Sequence, residues 1–328
     1  MKSSTRPRTR LVVGGGLVAI AASALLVPRL WGRPSTAAAH DRSLDRALVT
    51  PTTAPPRARL QRAPPPAARS ASAGWSLVWR DEFDGEAGAP VDRRSWTFDH
   101  GDGCTAGNCG WGNEEKQQYT SDLANAALTG RGTLAITARL STDGARCYYG
   151  PCRYTSAKLK TKGKVSVRFG RVEARIRLPT GQGLWPAFWM LGEGPPSLGW
   201  PDCGELDIME HHGSMPGNVS SAVHGPGFSG RGALMHAHTP AGVNFTADFH
   251  RYSMEWDSSV VRFSVDDREH FVLTRKAVEA RGTWAFDRSF SVILNLAVGG
   301  TFDGDPTADT VLPATMLVDY VRVYTRAP

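Results

Sequence analysis

From Trp75 onward, short runs rich in Val, Ile, Phe, Tyr and Trp recur between clusters of Gly, Pro, Asn and Asp, without sustained 3.6-residue spacing. Runs of that length, bounded by turn formers, are strand signals rather than helix signals. The pattern predicts strands at 77–83, 133–139, 164–169, 172–178, 187–191, 205–210, 220–224, 251–256, 260–265, 270–274, 290–298 and 316–324. Alternation is cleanest from Val172 through Glu173, Ala174, Arg175, Ile176 and Arg177 to Leu178, as expected of a strand with one face on a core and the other in water. So many strands in succession predict an all-β fold, a β-jelly-roll sandwich of two packed antiparallel sheets. No repeat of fixed period and no second globular domain is visible.

The first 73 residues read differently. Lys2, Arg6, Arg8 and Arg10 precede an apolar run from Leu11 to Val27, and Ala37, Ala38 and Ala39 offer small residues for cleavage. Residues 1–39 are therefore expected to be a signal peptide or, if uncleaved, an N-terminal membrane anchor, the run being just short of the ~20 residues of a spanning helix. Residues 40–73 turn to Pro, Ala, Arg, Ser and Thr and read as an extended Pro/Ala-rich linker, which leaves 74–328 as the globular domain. The expectation is a chain secreted or tethered to the outer face of the membrane, touching lipid only through that anchor.

Charge follows the same division. The chain has 38 Lys and Arg against 31 Asp and Glu, but residues 1–73 hold 12 of the former and 2 of the latter, leaving 26 against 29 beyond. The globular part is near neutral, so the basic pI is no argument for nucleic acid. Four of the five cysteines form two pairs of equal spacing, Cys104 with Cys109 and Cys147 with Cys152, expected as loop-closing disulfides in an exported protein. Cys203 is left over and reads as a buried apolar thiol.

Glu205, Leu206, Asp207, Ile208, Met209 and Glu210 set three carboxylates at the spacing E-x-D-x-x-E. In a regular strand Glu205 and Asp207 share a face and Glu210 takes the other. A β-bulge at Ile208 or Met209 would add one residue and bring all three together. Crowded acids raise one another's proton affinity, and desolvation raises it further. A solvated face of alternating charge is the bland alternative. The apolar residues in the gaps, and the aromatic run from Gly183 to Leu191 upstream, favour a cleft.

Several segments in order then carry a family resemblance: Gly110 to Glu114, Tyr154 to Leu159, Phe169 to Arg175, Gly181 to Leu191, Gly204 to Glu210, His224 to Gly227, Ile293 to Gly300 and Met316 to Tyr324. Over Trp75 to Tyr324 the chain resembles the family 16 glycoside hydrolases, and within them the bacterial endo-β-1,3-glucanases or laminarinases, which are jelly-rolls with a long substrate cleft. The resemblance implies that 74–328 is a catalytic domain acting on a β-glucan, as a monomer and with no catalytic cofactor. It implies Glu205 as nucleophile, Glu210 as general acid and then base, and Asp207 as the neighbour that tunes both. Hydrolysis would retain configuration through a covalent glycosyl-enzyme. Trp185, Trp189 and Trp200 would stack on sugar rings, and Asn113, Arg171 and His224 would contact sugar hydroxyls. Glu82, Gly132 and Asp319 match positions that hold a structural calcium in relatives.

The resemblance leaves mixed-linkage glucan or an algal galactan as other substrates, and a non-catalytic β-glucan-binding protein as another class. The chain departs from the usual pattern at Glu114 to Tyr119 and at His211-His212. Among other motifs, Gly225 to Gly230 fits G-x-G-x-x-G, but no helical pattern follows it. His236-x-His238 reads as a polar turn, and Asp303, Asp305 and Asp309 as a solvated loop.

Overall fold

The structure, a computed structural model, describes residues 74–326 apart from Pro196. The expected leader, anchor and linker lie outside the described residues. Two sheets dominate the described part. One has seven strands in the order Leu234–His238, Val219–His224, Glu205–Glu210, Leu184–Gly192, Phe290–Val298, Lys158–Lys160 and Thr97–Phe98. The other has ten, with Gly170–Arg177 and Ala314–Arg326 at its centre and Arg268–Thr274 at one edge. Their apolar faces form one core. Val172, Ala174, Ile176, Met316, Val318, Val321 and Val323 come from the ten-stranded sheet, and Leu184, Phe188, Met190, Leu206, Met209 and Leu294 from the other.

The jelly-roll expectation holds, with refinements. Pairing is antiparallel except between Gln117–Tyr119 and Tyr154–Ser156, which run parallel. The strand expected at 164–169 is absent apart from an isolated bridge between Val167 and Phe290. Lys164 and Val165 instead donate to the Thr161 carbonyl in a turn, and Phe169 takes the left-handed φ of 62°. The first strand ends at Asp81, whose carboxylate accepts from the Phe83 backbone and the Trp96 indole. His236 and His238 do not sit in a turn: they lie on the edge strand Leu234–His238. Asp303 is buried and accepts from the Gly183 and Ser214 backbones, so the loop is fastened rather than solvated. Both disulfides form, and Cys203 is buried and free, as expected.

Candidate active site

The carboxylate strand is bulged at Ile208. Asp207 faces Trp189 and Met209 faces Phe188 on one side, which leaves Ile208 without a counterpart there. On the other side Asp207 faces Ala222 and Glu210 faces Ser220, again with one extra residue between them. Two forces hold this geometry. The Ile208 side chain is buried in the core, and its carbonyl, freed from the ladder, accepts from Ser221 Oγ at 2.8 Å. The extra residue restores the parity of Glu210, so that Leu206 and Met209 enter the core while the three acids face the cleft.

His224 joins them from the neighbouring strand, opposite Glu205. The Gly230 N–H donates to its Nδ1 at 3.1 Å, which places the ring proton on Nε2. Nε2 lies 3.2 Å from Asp207 Oδ2 and 3.9 Å from Glu205 Oε1. The contact to Asp207 is not aligned as a hydrogen bond, and Oδ2 is a buried oxygen without one. Glu210 Oε1 accepts from the Trp185 indole at 3.1 Å. Burial, then the Asp207 charge, pushes Glu205 up to about 8. Burial also pushes Glu210 up to about 7, with His224 pulling down and Glu205 pushing up. Asp207 is raised well above the carboxylate range by burial and by Glu210. A nucleophilic Glu205 and a general acid at Glu210 call for an ionised carboxylate beside a protonated one. In the free protein Glu205 is held at least as high, so protons in this site belong to the cluster, and the two roles follow from position rather than from acidity.

Aromatic rings flank the acids. Trp185 stacks on Phe302 at 4.5 Å, and His212 covers the same ring at 3.8 Å. Trp189 donates through Nε1 to Asn295 Oδ1 at 2.7 Å, and Lys158 Nζ lies between the Trp189 and Trp111 rings at 4.9 and 4.5 Å. Trp200 is half exposed, 5.9 Å from the His224 ring. Asn113 donates to the buried Glu115, which also accepts from Gln117 and Tyr119; Tyr119 in turn accepts from Asn295. Asn113 is thereby tied to the support of Trp189.

Arg171 does not belong here. It lies on the ten-stranded sheet, on the face opposite Val172 and Ala174, in ion pairs with Glu173 and Glu255 at 2.6 and 2.8 Å. Its position two residues from Glu173 makes it part of an outer-face charge ladder. Phe302, Lys158, Glu115 and Asn295 escaped the sequence reading. Each is far along the chain from the acids, and only the sheet order brings it near.

The three positions matched to a calcium site do approach one another. Asp319 is the bulged residue of its strand, with Glu82 one residue after the pair of Asp81 with Val321 on one flank and Gly132 two residues before the pair of Leu134 with Val318 on the other. Both carboxylates already meet a guanidinium: Arg322 takes Glu82 in a bidentate pair at 2.8 and 2.9 Å, and Arg175 donates to Asp319 at 2.9 Å. A cation there would lean on backbone carbonyls.

Comparison with known proteins agrees with the geometry. The endo-β-1,3-glucanase structure from Pyrococcus furiosus shares 46% identity and superposes with a TM-score of 0.73, covering 77% of this chain and 95% of its own. A β-glucanase of Rhodothermus marinus is 40% identical over 258 residues, 76% of this chain and 85% of the relative. Glucan endo-1,3-β-glucosidase A1 of Niallia circulans is 38% identical over 273 residues; that match takes in 77% of this chain but spans only 38% of the relative's length. The sequence model of glycosyl hydrolases family 16 matches residues 108–322, and with the bulged carboxylate strand inside that match the chain belongs to this family of glycoside hydrolases.

Proposed function

We propose that this chain is a retaining endo-hydrolase of β-1,3-glucosidic bonds in glucans of the laminarin type. The observation that carries the proposal is the bulge at Ile208, which sets Glu205, Asp207 and Glu210 on one face beneath aromatic rings. A protein that only binds glucan has no use for three crowded, desolvated acids. In the productive protonation state the cluster's proton sits on Glu210 and Glu205 is ionised: Glu205 attacks the anomeric carbon while Glu210 protonates the departing oxygen, and Glu210 then takes a proton from the water that releases the sugar. Once Glu205 is esterified its charge is gone, which lowers the proton affinity of Glu210 for that second step. Asp207, close to Glu205 and His224, sets the charge seen by both.

The test is product analysis on laminarin, lichenan, agarose and carrageenan, with the anomer followed by proton NMR. Short β-anomeric products from laminarin are expected. Release only from another polymer would keep the mechanism and move the substrate, α-anomers would overturn retention, and binding without products would make the protein a lectin. We propose further that the protein acts as a monomer outside the cell, in line with its two disulfides. A structural calcium held by Asp319 and the carbonyls of Glu82 and Gly132 belongs to the same reading. Chelation is expected to lower the Tm without changing kcat, and an unchanged Tm on calcium addition and removal would dismiss it.

A further inference from the structure

Three histidines that hydrolysis does not use meet at the edge of the seven-stranded sheet, one strand removed from the carboxylate strand. His236 and His238 lie two residues apart on Leu234–His238, so both project to one side of that edge strand. His270 comes from Arg268–Thr274, the edge strand of the other sheet. Its ring centroid is 4.8 Å from that of His238 and 5.8 Å from that of His236. Two imidazoles sharing one ion at the usual metal–nitrogen distance of about 2.0–2.1 Å bring their centroids to roughly 5 Å.

His270 is already presented as a ligand would be. Ser221 Oγ has one proton and gives it to the Ile208 carbonyl, so toward His270 Nε2, 3.3 Å away, it acts as acceptor. The ring proton is therefore on Nε2, and Nδ1 is a bare lone pair, buried and without a hydrogen-bond partner. A ring oriented through one N–H, with the other nitrogen unprotonated, is the usual state of a metal-binding histidine.

We infer that His236, His238 and His270 form a binding site for a divalent transition-metal ion of the zinc, nickel or copper class. An all-imidazole set suits those ions and not calcium or magnesium. Asp266, the nearby carboxylate, is engaged with His250 Nδ1 and the Arg251 N–H, which leaves the remaining position to water. Among the described residues, the one trio of ligand atoms already within 4.8 Å is that of Glu205, Asp207 and His224. The histidine site therefore closes by side-chain rotation, for which the exposed His236 on its edge strand has room.

The full chain, prepared without a histidine tag, would be titrated with Zn²⁺ by calorimetry and with Cu²⁺ by electron paramagnetic resonance. One ion per chain is expected, with nitrogen couplings from at least two imidazoles. His238→Gln and His270→Gln should each weaken binding by about tenfold or more, the lower end of what even indirect disruption of a metal site costs, whereas Glu205→Gln should leave it intact. If His270→Gln does not fold, as judged by circular dichroism, the edge-strand variants His236→Gln and His238→Gln decide the matter. Absence of binding, undiminished affinity in those variants, or loss in Glu205→Gln would overturn the site, the last by putting the ion in the cleft.

Discussion

At the scale of the residue, the three acids behave as one buried cluster whose charge the fold resists. Glu205 binds its proton more tightly when folded, at about 8, than in the unfolded chain, at about 4.5. Between those values the native state holds the extra proton, so this group makes stability fall as pH rises through the window. Replacing it by a neutral isostere removes the penalty. Glu205→Gln is thus expected to melt above the parent protein at pH 8, by about 2–4 °C for each kcal/mol relieved, and to match it near pH 4; an equal or lower Tm at pH 8 would contradict the account. The same variant should turn laminarin over at less than about one thousandth of the parent rate while still binding it, because a lost covalent step costs several kcal/mol. Residual turnover above that level would sink the nucleophile assignment. The residue types and their spacing were legible in the sequence. The Trp185 indole on Glu210 was not, since it joins separate segments, nor was the seat of His224 on the Gly230 N–H, which depends on how the turn between them folds.

At the scale of the element, the parity of Glu210 decides whether the strand carries a site. If these six residues alternated regularly, with no bulge, Glu210 would turn to the face of Leu206 and the core instead of the cleft. Deleting Ile208 leaves the spacing E-x-D-x-E, whose acids share a face by plain alternation and keep the same partners on both neighbouring strands, so hydrolysis is expected to persist while loss of the buried side chain costs about 2–5 kcal/mol. Ile208→Val keeps the count and should cost only about 0.5–1.5 kcal/mol with activity retained. Urea melts and laminarin assays on the pair separate stability from activity, and a folded but inactive deletion variant would show that the bulge does more than set the parity of Glu210. The sequence made a bulge necessary if the acids act together, and it narrowed the position to two residues. The choice of Ile208 over Met209 came from packing, since Met209 is seated opposite Phe188 and Ser221 supplies a donor for the Ile208 carbonyl.

At the scale of the whole molecule, the sheets assemble the cleft and the disulfides trim its loops. Five cysteines with two bridges predict one titratable thiol in the unfolded, unreduced protein and five after reduction. Equal counts would rule the bridges out. Reduction is expected to lower stability by about 2 kcal/mol per bridge, the low end for loops this short. Period-two alternation, turn residues and paired cysteines are local signals, and from them the sequence alone determined the all-β class, most strand positions, the disulfide pairs and the three acids. Tertiary structure decided what depends on register between distant segments. It placed Arg171 in an ion-pair ladder on the outer face of the ten-stranded sheet, packed Phe302 between Trp185 and His212, and brought His270 to His238 across the sheets. A strand's own pattern says which of its residues share a face, but which strand lies beside it is settled only when the core is packed.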